Sequence, residues 1–168
     1  MGAYEIILKR RSIRKFTDKE IDDAAIDKLM KAAMAGPSAC NKQPWEFYVI
    51  KDKSTQAKVK RATPLARMES SLIIVVAADQ DRALSKWDND FWIQDCSAAV
   101  ENILLTATEM EIGTCWCGVF PQEICVRNVK NALNLPENII PMSLIHLGYT
   151  QEEFVPRTQY NPERVHII

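Results

Sequence analysis

A run of cations near the amino end is the first candidate for chemistry. Residues 8–16 read "LKRRSIRKF", and five of these nine side chains are cationic although the chain carries a formal net charge of −1. Arg10, Arg11 and Arg14 surround the hydroxyl of Ser12. Guanidinium forks together with a hydroxyl donor suit one dianionic phosphate. This basic stretch is too short to follow a nucleic acid, so it predicts a site for a small phosphorylated ligand.

The ordinary alternative for the basic stretch is a solvated helix end, where Lys and Arg complement the helix dipole. Two apolar members of the run, Ile13 and Phe16, argue for more than that. Both side chains are expected to turn inward and to fix the run on the protein, whereas a plain charged face would stay in solvent.

A second candidate is the segment 35–47, "AGPSACNKQPWEF". Its glycine and prolines are the usual breakers of a loop between a helix and a strand, and a simple loop needs no more. This loop also holds three neutral polar side chains able to read the edge of a heterocycle: Ser38, Asn41 and Gln43. Trp45 is expected in the core rather than at a ligand, since large aromatic residues dominate protein interiors.

A third candidate is the segment 111–121, "EIGTCWCGVFP", which follows a long predicted helix. The ordinary interpretation is a helix C-cap and a turn. Gly113 and Gly118 would also let backbone N–H groups approach a flat ligand closely. Cys115 and Cys117 form a C-x-C pair without the C-x-x-C redox spacing, so we favour buried apolar roles over redox roles.

Composition narrows the class of protein and its partners. The chain has 168 residues, 47% hydrophobic and 26% charged, so residues 1–168 are expected to form one domain. A charge near neutrality argues against nucleic acid as a partner. The longest apolar run, 72–78, is too short to span a membrane, and charges at Glu5 and Lys9 leave no signal-peptide core, so a cytoplasmic location is expected. Five cysteines fit reduced thiols there, and two histidines without a ligand pattern predict no metal site.

Periodicity predicts helices packed about a small sheet, an α+β arrangement. The expected helices cover 3–10, 17–35, 55–62, 91–112 and 126–135. The expected strands cover 45–50, 71–79 and 141–149. A capping box of Thr17 and Glu20 is expected to open the second helix, and Gly36 to stop it. The proline-interrupted tail, residues 150–168, cannot fold alone and could add a strand to the sheet of another chain.

Together the three candidate stretches resemble the FMN-dependent nitroreductase family over essentially the whole chain. The resemblance runs from Arg-Arg-Ser-x-Arg-x-Phe through Pro-Ser-x-x-Asn-x-Gln-Pro-Trp to Gly-Thr-Cys-Trp-x-Gly and a late His-Leu-Gly-Tyr. It implies the nitroreductase-like fold, with a central, mostly antiparallel sheet flanked by helices. It also implies an intertwined homodimer with two FMN molecules at the subunit interface.

The resemblance further implies a role for each stretch. The FMN phosphate and ribityl chain would be held by Arg10, Arg11, Ser12 and Arg14. The isoalloxazine ring would be lined, from the other subunit, by Pro37, Ser38, Ala39 and Asn41. The other face of the ring or its N5 edge would be covered by Cys115, Trp116, Cys117 and Gly118. The helix at 91–112 corresponds to the central dimer helix of the family, and residues 150–168 to an arm that packs on the partner subunit.

Late in the chain the match to the family is less complete. Arg157, in "FVPRTQY", matches a basic position that also reaches the phosphate. Gln159 stands where the family often has a second basic residue, so phosphate affinity is lower or Arg164 substitutes. Arg67 is the nearest match to a further ribityl or phosphate contact. The region around strand 71–79 lacks the long excursion that forms a lid in many members, which implies a more open substrate site.

The activity implied is that of an NAD(P)H-dependent flavin oxidoreductase that reduces nitroaromatics, quinones or similar acceptors by ping-pong two-electron transfer. The flavin carries the chemistry, so no catalytic side chain is expected. One alternative is a non-enzymatic FMN-binding store or sensor, in which Trp116 blocks stacking on the ring. Another is flavin fragmentation or reductive dehalogenation, for which this chain leaves little room. The acceptor and the choice between NADH and NADPH stay open, because no Rossmann glycine fingerprint occurs.

Overall fold

The computed structural model describes residues 2–64, 66–84 and 90–168. Five α-helices lie in this part of the chain: α1 (Ala3–Lys9), α2 (Asp23–Met34), α3 (Lys53–Ala62), α4 (Phe91–Glu109) and α5 (Glu123–Leu133). Four strands lie there as well: β1 (Trp45–Ile50), β2 (Leu72–Asp79), β3 (Ile112–Gly118) and β4 (Ile139–Tyr149). Two short 3-10 turns cover Ala39–Asn41 and Pro162–Arg164. The region after strand β2, expected to leave the substrate site open, falls partly outside the described residues.

The four strands form one antiparallel sheet in the order β1-β2-β4-β3. The continuous apolar run of β2 lies in the middle, and its residues Leu72 to Ala78 are all buried. A strand covered on both faces needs no polar alternation, which is why this run was recognisable in the sequence. The expectation of an α+β fold around a mostly antiparallel sheet is confirmed.

Helices cover both faces of the sheet, and the two-residue period of β2 divides its side chains between them. On one face, Ile74 and Val76 pack with the buried residues of α2 and α4. On the other face, Ile73 and Val75 pack with those of α3 and α5. Helix α4 is therefore a core element for most of its length, and a residue on its inner stripe has no access to water.

The start of α2 differs from the expectation. The helix begins after Asp22, whose carboxylate accepts the N–H of Ala25 at 2.7 Å, so the predicted capping box of Thr17 and Glu20 is wrong. Thr17 is bound elsewhere, because its N–H donates to the carbonyl of Tyr149 at 2.7 Å. Pairing with the end of β4 holds this residue in an extended approach to the helix, and Asp22 caps equally well.

The end of α4 and the segment after it also differ from the expectation. The helix ends at Glu109 instead of residue 112, and Glu111 adopts a left-handed φ of 57° that terminates it. The segment expected to be a turn then forms β3, which pairs with β4 along its whole length. The composition of β3, rich in Gly and Cys, gives little strand signal, and pairing with a neighbour overrides the weak local preference.

Candidate functional site

The basic stretch lies at the outer edge of the sheet, beside β3. Ser12, an exposed residue, forms a parallel bridge with Thr114, and the N–H of Ile13 donates to the Thr114 carbonyl at 2.8 Å. The side chain of Ile13 is fully buried, as its apolar type predicted. This contact requires Gly113, because a Cβ there would lie 2.8 Å from Cγ2 of Ile13. The basic stretch is therefore fixed on the sheet and does not move freely in solvent.

The arginines of the basic stretch are held in different ways. Nε of Arg10 lies 3.5 Å from Oε1 of Glu101 on α4. A terminal nitrogen of Arg11 donates to the carbonyl of Val155, while its Nε is buried and has no partner within the described chain. Arg14 is exposed. A buried guanidinium N–H without an acceptor, close in sequence to an exposed cation, is a donor set that an anion would complete.

The first part of the tail runs along the basic stretch of its own chain. The hydroxyl of Thr150 donates to the carbonyl of Lys15 at 2.8 Å, and the N–H of Arg157 donates to the carbonyl of Leu8 at 3.0 Å. Arg157 is thus brought to the same edge of the sheet as the three earlier arginines. From residue 158 onward the tail is mostly exposed and forms one 3-10 turn, without a strand in its described residues.

The other late candidates stay apart from this arrangement. Gln159 and Arg164 are both exposed in the tail. Arg67 is exposed between α3 and β2, and no hydrogen bond or ion pair joins it to the basic stretch within the described residues. Only Arg157 among the late basic positions therefore has a defined link to the basic stretch.

Residues 37–43, the second candidate, form a loop between α2 and β1 that folds back on itself. Oγ of Ser38 accepts the N–H of Gln43 at 3.0 Å, and the side-chain amide of Gln43 donates to Oδ1 of Asn41 at 3.1 Å. The three polar side chains expected to read a ligand are thus partly engaged with one another. Pro37 and Asn41 are exposed, while Ser38 and Ala39 are half-buried. Trp45, just beyond the loop, is buried in the core as expected.

A buried carboxylate holds the 37–43 loop to α4. Oδ1 of Asp95 accepts the N–H of Ala39 at 2.8 Å, and the residue is only 4% exposed. Burial raises the pKa of this carboxyl, against the opposing effect of the Ala39 hydrogen bond. Sequence reasoning missed Asp95. The available signal was an acidic residue on the apolar stripe of the helix, between Trp92 and Ala99.

Strand β3 sends its candidate residues to opposite faces. Cys115 and Cys117 are buried on the α3 and α5 side, which agrees with the expected apolar roles. A hydrogen bond with the Cys117 thiol lowers the pKa of Cys115, against the opposing effect of burial, and the charge of Arg14 lowers it further. Trp116 is half-buried and packs against the core on the α2 and α4 side, while Gly118 is exposed. The two thiols and the indole therefore do not share one surface.

The basic stretch and the 37–43 loop lie at opposite edges of the sheet in one chain. The loop leads into β1, whereas the basic stretch lies beside β3, and three strand spacings of about 4.8 Å separate these strands. Thr114, beside Ser12, lies level with the end of β1, whereas the loop enters β1 at its start. The basic stretch and the loop of one chain are therefore separated both across and along the sheet.

The chain belongs to the Nitroreductase family, whose model matches residues 7–69 and 65–149. A protein of Archaeoglobus fulgidus, provisionally named NADH dehydrogenase/NAD(P)H nitroreductase, is 43% identical over 98% of this chain and 96% of its own. The crystal structure of a provisional NADH oxidase from Clostridium acetobutylicum is 38% identical, with a TM-score of 0.91 over 96% of this chain and 98% of that one. An FMN-dependent nitroreductase from Clostridium difficile is 29% identical, with a TM-score of 0.86 over 98% of both chains. The expected fold and family are confirmed.

The described residues support neither a membrane-spanning helix nor a metal site. None of the helices there is long and apolar enough to cross a bilayer. Within the same residues, no three His, Cys, Asp or Glu side chains are grouped so that they could hold a metal ion. The polar groups of interest are those of the basic stretch, the tail and the 37–43 loop.

Proposed function

We propose that this protein is an FMN-dependent oxidoreductase that takes electrons from NADH or NADPH and reduces a nitroaromatic, a quinone or a similar small acceptor. The observation that carries the proposal is the arginine-rich stretch fixed against β3 in a chain of the Nitroreductase family. The names of its relatives support both the nucleotide and the flavin. No side chain in the described site forms a nucleophile and base pair, so the chemistry falls to the cofactor.

The residues present fit FMN. Its phosphate is a dianion, and the Nε of Arg11 is a buried donor without an acceptor in the described chain. Arg10, Ser12 and Arg14 surround this donor in sequence, and the tail brings Arg157 to the same edge. These residues bind the phosphate and so orient the ring. FMN, when bound, supplies the hydride and electron transfer.

The ring is lined by the other two stretches. On one side lie residues of the 37–43 loop, the exposed Pro37 and Asn41 and the half-buried Ser38 and Ala39. On the other side β3 lies beside the basic stretch, where Trp116 is half-buried and Gly118 is exposed, whereas the thiols of Cys115 and Cys117 are buried. Trp116 is half-buried and packs against the core of its own chain, which supports a ring face that its indole leaves free. A nicotinamide and then an acceptor would stack on that face in turn, which gives ping-pong kinetics.

The active form is a homodimer. We infer that one flavin contacts the basic stretch of one chain and the 37–43 loop of another, because the two regions of one chain are separated across and along the sheet. Helix α1 exposes Tyr4 and Ile7, at 72% and 53%, and the tail ends in the exposed apolar pair Ile167 and Ile168. Burial of these side chains against a partner subunit would remove their apolar surface from water, which supports the dimer. We infer one domain over residues 1–168, with the distal tail packing on the partner subunit.

The activity is tested with the purified protein under anaerobic conditions. We expect a yellow protein whose visible flavin band bleaches on addition of NADH or NADPH and returns when a quinone or nitroaromatic is added. Steady-state rates over a grid of both substrates should give parallel double-reciprocal lines. A flavin that stays oxidised with both nucleotides would refute the enzyme and leave the store or sensor. A colourless protein that ignores added FMN would refute both.

The dimer is tested by sedimentation equilibrium of the full chain. We expect twice the mass of one chain, and a weaker dimer when Ile167 and Ile168 are both changed to Ser. Ile124 on α5 is a matched control, because it is also an exposed apolar residue, at 52%. Ile124→Ser should leave the association unchanged. A monomeric full chain that binds FMN tightly would overturn the shared site.

A further inference from the structure

The 37–43 loop is held in a backbone shape that its residues do not favour. Cys40, Asn41 and Gln43 have φ values of 49°, 53° and 50°. Left-handed backbone costs non-glycine residues free energy, least for Asn, and it persists only where the surroundings enforce it. Three such residues within four positions mean that something outside the loop fixes its shape. The hydrogen bonds within the loop close it but do not attach it to the protein.

Two contacts attach the loop region to one stripe of α4. Oδ1 of Asp95 accepts the N–H of Ala39 at 2.8 Å, immediately before the strained residues. One turn further along the helix, Gly36 lies against the backbone, since a Cβ there would be 3.4 Å from the nitrogen of Ala99. Asp95 is thus the polar attachment and Gly36 the close-packed one.

The carboxyl of Asp95 is costly where it lies. It is 4% exposed on a helix face that packs into the core, and its Oδ2 is buried without a partner in the described chain. Burying an apolar side chain at such a position on folding costs less free energy than burying an acid. Among the contacts of the described residues, the hydrogen bond to the Ala39 N–H is the one that offsets this cost.

We propose that Asp95 is a positioning residue that holds the 37–43 loop in the shape that contacts the flavin ring. The inference rests on the proposed function, in which Ala39 and its neighbours line the isoalloxazine. Asp95 acts through the loop, and no hydrogen bond or ion pair joins it to the basic stretch within the described residues. Its contribution is therefore to ring binding alone.

The test compares FMN with riboflavin, which has the same ring and no phosphate. In the apoprotein of Asp95→Ala, we expect the Kd values for FMN and for riboflavin to rise by the same factor, about tenfold, the scale of one hydrogen bond to a charged group. Asp95→Asn keeps an acceptor for the Ala39 N–H and should restore both Kd values to within about threefold of wild type. Near-ultraviolet circular dichroism and thermal unfolding establish that each variant is folded.

Asn102→Ala is the matched control, because Asn102 lies two turns further along α4 and donates to the carbonyl of Ala32 at 2.9 Å. It links the same helix to α2 and not to the loop, so both Kd values should stay unchanged. Asp95→Ala with wild-type affinity for both flavins, or an Asp95→Asn variant as weak as Asp95→Ala, would overturn the inference while leaving the proposed function intact. A wild-type protein that binds neither flavin would refute the proposed function itself.

Discussion

The basic stretch and the 37–43 loop present polar groups in opposite ways. The basic stretch depends on residue type: its cations are attached to the sheet by the Ile13 contact, and Arg14 is left exposed. The loop depends on shape: Lys42 is its one charged side chain, its backbone is strained, and Asp95 holds it to the core. A phosphate tolerates small displacements of a mobile cation, whereas a flat ring needs a surface formed before it arrives. Charge and shape therefore contribute separately to flavin binding, and a substitution should affect one contribution without the other.

The largest effect is expected from a variant that removes charge and leaves the loop unchanged. In Arg10→Ala/Arg14→Ala we expect the Kd for FMN to rise by about a hundredfold, because each charge-assisted hydrogen bond contributes about 1.5–3 kcal/mol. Riboflavin has no phosphate but keeps the ribityl chain, so its Kd should rise by a much smaller factor than the Kd for FMN. Fluorescence titration of the apoprotein measures both values. Arg127→Ala, at an exposed arginine on α5, is the control. An equal loss for both flavins would contradict the separation of charge from shape.

The second-largest effect is expected from a substitution that displaces the basic stretch without changing its charge. In Gly113→Ala the new methyl would lie 2.8 Å from Ile13, so we expect the free energy of unfolding in urea to fall by about 2 kcal/mol, the cost of overpacking. Binding of FMN should weaken more than binding of riboflavin, since the 37–43 loop is untouched.

Gly118→Ala on the same strand is the stability control for Gly113→Ala. A Cβ at Gly118 would have its nearest contact at 4.0 Å, with the Phe120 carbonyl, so stability should change by less than about 0.5 kcal/mol. Equal stability losses at the two glycines would mean that the Ile13 contact is not what fixes the basic stretch.

A third prediction concerns the sheet that supports both regions. His146 on β4 is fully buried, and burial lowers its pKa from 6.5 to about 4, with a smaller effect from Lys60. The unfolded chain therefore binds the proton more readily. Stability is complete above pH 6.5 and is lost as the pH falls towards 4, by about 2 kcal/mol between pH 7 and pH 5.

Urea unfolding of wild type and His146→Gln at several pH values measures this contribution. The variant should be less stable at pH 7 and should lose less on acidification, because it lacks the titrating group. Asp95, whose raised pKa acts in the opposite direction, is common to both proteins and cancels in the difference. If the free energies of unfolding of the two proteins change with pH in the same way, His146 is excluded as the source of the stability lost on acidification.

The smallest effect is expected from a substitution that removes a hydrogen bond inside the 37–43 loop. Ser38→Ala removes the acceptor for the N–H of Gln43, so we expect a loss of about 1 kcal/mol in loop stability and a roughly fivefold higher Kd for riboflavin. FMN should be affected by the same factor, which distinguishes this variant from the arginine changes. Ser71→Ala, which removes one hydrogen bond to the Leu147 carbonyl, is the matched serine control. Unchanged riboflavin binding would show that the Asp95 attachment alone is sufficient.

Local patterns in the sequence were enough to predict much of the fold. Strand β1 occupies the predicted residues 45–50, and β2 begins one residue after its predicted start. Both strands have a strong sequence signal, because β1 is aromatic and β-branched and β2 is continuously apolar. Ile13 was also predicted to turn inward, because an apolar side chain among cations has few other reasons to be there. The roles assigned to the site residues stay predictions until flavin binding is measured.

Other features could not be predicted from spacing. The start of α2 was wrong because Thr17 pairs with the distant Tyr149, and β3 was missed because its strand character comes from β4. Asp95 was missed because nothing near it in the sequence says what a buried acid would bind. Its partner, Ala39, lies 56 residues away.

The sequence by itself determined which residue types are available: a cluster of arginines around a serine, a loop rich in breakers, and helices and strands with clear periods. Only the tertiary structure decided which of them meet. Ile13 rests against Gly113, Asp95 holds Ala39, and the two polar regions lie at opposite edges of one sheet. The physical reason is that local preferences act over a few residues, whereas these contacts form when the packing of the whole core brings distant segments together.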